Sequence, residues 1–423
     1  MIAYSIAIVF ATFIAFLGLT RFMLFMIGSS IYDIRYHARR KLTPHHELPT
    51  LSIIIPAYNE ENTIKHCIQS VFDATYDISK RQIIVMNDGS KDRTEEIVRT
   101  QIATGLWPGV QLVTQTNAGK AHALNNGIKN YATGELIMCL DADSMLASDA
   151  LVRAVSYFQV ENVTALSANV RVRGDGSFWS IVQNYEYVIG WQMKRATTTF
   201  NIDYIIGGVG STFRKTALEA VGYYDTDTIV EDMDLTLKII RLGHKKHRIV
   251  FGADVICYTA GVLDFKGLLK QRYRWKYGHL QALIKHRDLF FSRDPRYSKQ
   301  LTWIYLPYIL FSETMLLVEP VFPALILFIL YWFGDILSLF SGIAVITGSM
   351  VLHIAAERTM SLRERIKLIA AAPAMYFAAY TLTVIWYISL IRTYANIRSI
   401  LNAKTSKWEP VERGKIAETS LVV

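Results

Sequence analysis

Hydrophobic and polar positions divide the chain into three stretches with different periods. Residues 2–20 carry no charge and could cross a bilayer as a helix, about 20 residues rising roughly 1.5 Å each. From about 45 to 290 the apolar positions come in short runs, separated by turn residues and by stretches with helical spacing. Beyond that the chain is again almost continuously apolar, at about 301–333, 336–356 and 366–391.

The middle stretch reads as strands alternating with helices. Leu51-Ser-Ile-Ile-Ile-Pro56 is β-branched, apolar and closed by a proline, which predicts a buried parallel strand. A helix is expected from Tyr58-Asn-Glu-Glu-Asn62 to about Ala74, with Asn59 as its cap. Residues 82–86 form a second strand and Asn87-Asp88-Gly89-Ser90 the turn after it, with Ser90 capping a helix over 94–100. Leu112 and Val113 start a third strand, and Asn117-Ala-Gly-Lys120 leads into a helix around 121–130. A fourth strand, 135–140, runs directly into Asp141. This alternation predicts an α/β fold with a mostly parallel sheet and right-handed crossovers. Ligands of such sheets bind beyond the carboxyl ends of the strands. Tyr58, Asp88 and Asp141 all fall there.

The flanks predict membrane helices. A cleaved signal peptide would want a basic start and a small-residue cleavage site; the chain starts Met-Ile-Ala-Tyr, so an uncleaved helix over 1–32 is expected. Arg35, Arg39, Arg40 and Lys41 follow it and place a domain at 45–290 in the cytoplasm of a multi-pass plasma-membrane protein. About three further crossings are expected over 301–392, then a basic cytoplasmic tail, 393–423. Parity conflicts with this: the loop bearing Arg358, Arg363, Arg365 and Lys367 and the tail bearing Arg392, Arg398, Lys404 and Lys407 are both basic, with one expected crossing between them. Glu313 and Glu319 either line a path through the membrane or lie at its interface.

Composition sharpens this picture in two ways. A net charge of +9 fits membrane-edge residues plus a site for an anionic substrate, and no nucleic-acid signature accompanies it. Cys67, Cys139 and Cys257 form no close pair and suit a reducing compartment, and His45, His46, His244 and His247 lack companion ligands at metal spacing.

Candidate chemistry lies in five short strings. Asp141-Ala142-Asp143 is either a turn with capping acids or a pair of carboxylates for a hard divalent ion, Mg or Mn, bridging phosphate oxygens. Asp88 is either a turn residue or an acceptor for a base or ribose. Glu231, Asp232 and Asp234 open a helix over 232–242 and complement its dipole; a displacement at a sugar carbon also needs a base opposite the leaving group, for which Asp232 is the candidate and Glu231 the fallback. Gly207-Gly208-Val-Gly-Ser-Thr212 is either a tight turn or a place of close backbone approach to an acceptor. In Gln271-Arg-Tyr-Arg274-Trp275, Arg274 can fork onto diphosphate oxygens and Trp275 can stack on an acceptor sugar. The same stretch also reads as an interfacial amphipathic helix, and the two readings are compatible.

Taken in order, these strings resemble the processive, membrane-embedded glycosyltransferases of family 2, which include cellulose, chitin, hyaluronan and poly-N-acetylglucosamine synthases. The resemblance covers roughly 50–280. It implies a GT-A-type catalytic domain in which Asp88, Asp141 and Asp143 serve UDP and metal binding and Tyr58, Glu60 and Lys120 contact the nucleotide. Asp232 would be the base of a Thr-Glu-Asp motif that here reads Val230-Glu231-Asp232, and Gln271, Arg274 and Trp275 match a Gln-x-x-Arg-Trp element. Within the family, Tyr223-Tyr-Asp-Thr-Asp227 and Trp408-Glu-Pro-Val-Glu-Arg-Gly414 most resemble the bacterial poly-β-1,6-N-acetylglucosamine synthases. The implied activity is inverting, processive transfer from a UDP-sugar, most of all UDP-N-acetylglucosamine, onto an exopolysaccharide exported across the membrane. A synthase of another UDP-sugar polymer, a lipid-linked single-sugar transferase and a non-catalytic subunit are the alternatives. The implied partners are the donor, a polysaccharide acceptor and the bilayer, with room for an accessory membrane subunit.

Overall fold

The computed structural model describes residues 2–40, 48–173, 177–243, 245–318, 320–334 and 336–401. A long helix, α1 (Ile2–Arg40), precedes β1 (Leu51–Ala57), α2 (Ile64–Asp73), β2 (Arg81–Asn87), α3 (Thr94–Ala103), β3 (Val110–Thr114), α4 (Lys120–Asn126) and β4 (Leu136–Cys139). Then come β5 (Ser144–Leu146), α5 (Ala150–Tyr157), β6 (Val163–Arg173), α6 (Phe178–Phe200), β7 (Ser211–Arg214), α7 (Lys215–Ala220), α8 (Glu231–Arg241) and β8 (Arg248–Ala260). The chain closes with α9 (Phe265–Lys285), α10 (Leu306–Met315), α11 (Val321–Phe333), α12 (Ile336–Ala355), α13 (Leu362–Ala395) and α14 (Ile397–Leu401).

The strands form one eight-stranded sheet in the order β3-β2-β1-β4-β7-β6-β8-β5. Its first half is parallel, as the alternation predicts. In the second half β7 runs antiparallel to both β4 and β6, and β5 antiparallel to β8. β1 is apolar on both faces because helices cover both. Ile53 and Ile55 pack with Ile64 and Ile68 of α2 and Leu151 of α5. Ile54 packs with Leu124 of α4 and Leu235 and Ile239 of α8.

The predicted start of α2 and the two predicted caps need correction. α2 begins at Ile64, not near Tyr58, because Asn59 adopts a left-handed φ of 57°. Its side chain accepts from the Lys91 amide at 2.8 Å, while Ser90 accepts from the Asn59 amide at 3.1 Å. Glu60 and Glu61 amides donate to Thr94 and Asp92 at 2.7 and 3.0 Å. Polar residues expected to cap single helices instead bind the two loops after β1 and β2 to each other.

The flanking helices dock on this domain. Gly28 of α1 lies so close to α6 that an added Cβ would come 2.8 Å from Ala196 Cβ. Nearby, Arg195 of α6 is fully buried, with Asp33 of α1 at 3.7 Å and Glu357, between α12 and α13, at 2.7 Å. Arg171 donates to the carbonyl and hydroxyl of Thr359 at 2.7 and 2.8 Å. At the far end of α13, Asn396 donates to the Tyr273 hydroxyl of α9 at 3.2 Å.

Among the described residues no single helix is long and apolar enough to cross a membrane. The crossing expected near 366–391 is a helix carrying Pro373 and broken into Leu362–Tyr376 and Ala378–Ala395, bent by 63°; the two parts pass together by length and composition. The stretch at 301–333 is interrupted between α10 and α11. Glu319 and the tail beyond Leu401 lie outside the described residues.

Candidate active site

The sheet's carboxyl edge gathers the predicted residues from distant parts of the chain. Tyr58 is exposed at the end of β1. Asp88, after β2, is buried and accepts from Gln115 Nε2 at 2.8 Å, the Ala118 amide at 3.0 Å and the Gly119 amide at 2.8 Å. It therefore shapes the loop that delivers Lys120 to the start of α4. Gly89 permits this: its φ is +70°, and an added Cβ would sit 2.9 Å from the Asn117 amide nitrogen. Oδ2 of Asp88 accepts a single bond and so keeps capacity for a ligand hydroxyl.

Lys120 joins two of the acidic strings. Its Nζ lies 2.6 Å from Asp141 Oδ1 and 3.4 Å from Glu231 Oε1. Gly208, before β7, faces the same point. A Cβ there would lie 3.1 Å from Lys120 Nζ, 3.5 Å from Asp232 Oδ2 and 3.9 Å from Asp141 Oδ1. Residues from four separate segments thus surround one small space, and glycine is the residue that leaves it open.

Charge in this space is strongly coupled. Burial, then the neighbouring Glu231 carboxylate, pushes Asp232 up to about 7, with Lys120 pulling the other way. Burial opposes the Lys120 ammonium, but Asp141, Glu231 and Asp232 outweigh it and hold its pKa above the ordinary lysine value. The Cys67 thiol behind the site is raised by burial and then by Asp143, Asp141 and Glu60, which places Glu60 within the field of the acidic pair. Glu60 also accepts from the Thr63 hydroxyl at 2.6 Å.

Asp141 and Asp143 fit a divalent ion by chemistry. Both are hard oxygen donors after β4, and Asp143 Oδ1 accepts from Ser144 Oγ at 3.1 Å. The Lys120 ammonium against Asp141 stands where positive charge is already favoured. Among the described residues no three His, Cys, Asp or Glu side chains group as an ion site. An ion of the Mg type takes one or two carboxylates and completes its shell with phosphate oxygens and water.

α9 carries the last string and lies against the segment that precedes Glu231. Gln271, Arg274, Trp275 and Gly278 are spaced to share one helix face. A Cβ on Gly278 would come 2.1 Å from Val230 Cγ2, so this glycine lets α9 lie directly on the residue before Glu231. Gln281 accepts from the Ile229 amide at 3.1 Å, and Lys285 pairs with Asp225 at 2.6 Å and Asp227 at 2.8 Å. Hydrogen bonds from Lys238 and Lys285 overcome burial and bring the Asp225 carboxyl down to about 2. Arg274 is half-buried and makes no hydrogen bond or ion pair with a described residue. No hydrogen bond or ion pair joins Gln271, Arg274 or Trp275 to Asp141, Asp143 or Asp232. Glu313 pairs with Lys276 and, at 3.5 Å, with His279 of α9. Sequence reasoning missed Gly278; an isolated glycine in a helical pattern was the available signal.

A family model described as glycosyl transferase family 2 matches residues 52–222, the part that holds Tyr58, Asp88, Lys120, Asp141 and Gly208. A protein of Staphylococcus aureus (strain MSSA476) named poly-beta-1,6-N-acetyl-D-glucosamine synthase is 33% identical over 294 residues, 66% of this chain and 68% of that protein. One of the same name from Staphylococcus epidermidis is 34% identical over 244 residues, 57% of each. The mannosyltransferase PcManGT from Pyrobaculum calidifontis, solved with GDP-Man and Mn2+, shares the fold with a TM-score of 0.54 at 21% identity, covering 90% of this chain and 98% of that one.

Proposed function

The chain belongs to glycosyltransferase family 2, and from that premise we propose that it builds a β-linked polysaccharide by processive, inverting transfer of N-acetylglucosamine from UDP-N-acetylglucosamine. It is a glycosyltransferase with a GT-A-like sheet, and its relatives are polysaccharide synthases by name. One observation carries the chemical part: Lys120, Asp141 and Asp232 meet around Gly208.

Asp232 takes the proton from the acceptor hydroxyl, whose oxygen bonds to C1 of the donor sugar while the bond from C1 to the β-phosphate oxygen breaks. The electron pair leaves with UDP, and configuration at C1 inverts. A carboxylate titrating near neutrality is suited to this work. Asp141 and Asp143 would hold a Mg or Mn ion, which when bound supplies positive charge to the diphosphate. Lys120 adds fixed charge beside them, and Arg274, which makes no hydrogen bond or ion pair with a described residue, would fork onto phosphate oxygens. Asp88 and Tyr58 hold the nucleoside, Glu60 supports that edge, and Gln271, Trp275 and Gly208 contact the acceptor. The membrane belongs to this proposal: α1 and the bent α13 anchor a cytoplasmic domain at the plasma membrane.

The test offers purified protein a panel of UDP-sugars with Mg or Mn, measures UDP release, sizes the products and digests them with linkage-specific hydrolases. Long polymer from UDP-N-acetylglucosamine, abolished by Asp232→Asn and by chelation, is expected. Single-sugar lipid products alone would overturn processivity, and polymer from a different donor would overturn the sugar.

A further inference from the structure

Arg272 stands inside the Gln271–Trp275 string, yet the function proposed above gives it no part. Its side chain is fully buried. One end of its guanidinium donates to Gln271 Oε1 at 3.0 Å, and the other end to the Glu186 carboxylate of α6. The guanidinium carbon lies 4.0 Å from the ring centre of Trp275 and 5.3 Å from that of Trp386 on α13. Trp386 Nε1 in turn donates to the other Glu186 oxygen at 3.1 Å. Three helices thus meet at one planar cation with an indole near it from each of two of them.

Packing alone does not ask for this. A buried arginine with one carboxylate is no more stabilising than apolar side chains of the same volume. What a guanidinium offers beyond an apolar residue is geometry: flat faces for aromatic rings and a rigid fork of donors at its edge. Both neighbours that it fixes within its own string are the groups assigned to the acceptor. With Oε1 of Gln271 committed to Arg272, the amide nitrogen is the end left to donate to a ligand.

We propose that Arg272, clamped by Glu186 and Trp386, is the positioning residue of the acceptor site, setting the plane of the Trp275 indole and the direction of the Gln271 amide. This rests on the reading of Gln271 and Trp275 as acceptor contacts. It makes α13 part of the acceptor site through Trp386.

The test compares wild type with Arg272→Lys, which keeps the charge but loses the planar faces and the fork, and with Glu186→Gln. UDP release is followed with UDP-N-acetylglucosamine alone and with added N-acetylglucosamine oligosaccharides. The expected result is an acceptor KM raised about tenfold in both variants and shorter polymer, with donor KM and acceptor-free UDP release within about twofold of wild type. Acceptor-free release falling in step with polymerisation would assign Arg272 a general structural role and overturn the proposal. So would an unchanged acceptor KM. Should Arg272→Lys fail to fold, Glu186→Gln and Trp386→Phe carry the same comparison. Absence of UDP release by wild type sinks the transferase reading itself, whereas an active wild type with indifferent variants sinks only the role of Arg272.

Discussion

Asp232 is a carboxylate whose surroundings oppose its charge, and that has two measurable consequences. First, catalysis by the ionised form requires turnover to climb with pH on its acid side, with a midpoint near 7; kcat/KM measured from pH 5 to 9 checks this. Second, the folded chain favours the protonated acid more than the unfolded chain does. The stability this gives is complete below about pH 4, the unfolded value, and is lost as pH rises towards 7. Asp232→Asn is therefore expected to abolish transfer yet raise thermal stability at pH 8 in chelator. The gain should be on the order of 2 kcal/mol, discounted for partial solvent access, and should vanish at pH 4. Asp141 was legible as a candidate because it follows an apolar strand, and Glu231 and Asp232 because they open a helix; Lys120 was named only by the resemblance to the family. The structural work of Asp88 was not legible. Its three donors come from 115–119, about thirty positions downstream, and nothing in an Asn-Asp-Gly turn names them.

At the scale of the element, α9 decides whether the Arg274 face reaches the acidic centre, and Gly278 decides where α9 lies. Gly278→Ala drives a methyl into Val230 and is expected to lower kcat by about 100-fold through misplacement of the helix, at a stability cost of about 1–3 kcal/mol. Adding Val230→Gly removes the nearest colliding atoms and should restore part of the loss; kinetics and thermal melts of the single and double variants check both. The parallel strands β1, β2 and β4 were readable because burial on both faces leaves an apolar run, whereas the edge strand β3 carries exposed Gln111 and Thr114 and was read only from Leu112. The mixed half, where β6 pairs with β8 in parallel and β5 and β7 run antiparallel to their neighbours, was not read at all. β5 and β7 are only three and four residues long, and β6 finds β8 across more than seventy residues of chain. The misplaced start of α2 has a similar origin, since Asn59 and Ser90 serve each other's loops and not a helix.

For the whole molecule, the conflict between two basic segments turns on how α13 lies. Thr359 before it and Asn396 after it both bond to the catalytic domain, and between them Ala372 and Met375 pack with Tyr185 and Val188 of α6, so the bent helix stays against that domain along its length. Cysteines introduced by Arg358→Cys and Arg398→Cys are expected to react with an impermeant maleimide from the same side, in inside-out vesicles and not in intact cells. Labelling from opposite sides would restore a straight crossing. The ion pairs of Arg195 have a practical corollary for anyone shortening this protein. Residues 45–290 look like a separable domain, but cutting there removes Asp33 and Glu357 together with the helices that carry or flank them. What is bared is the face of α6 bearing Val182, Tyr185, Val188 and Trp191, which packs with Tyr32 of α1 and Ile354 of α12, and contiguous apolar surface of that kind drives association. The trimmed fragment should aggregate on expression, and a fragment that stays monomeric in detergent-free buffer would show that this face needs no cover.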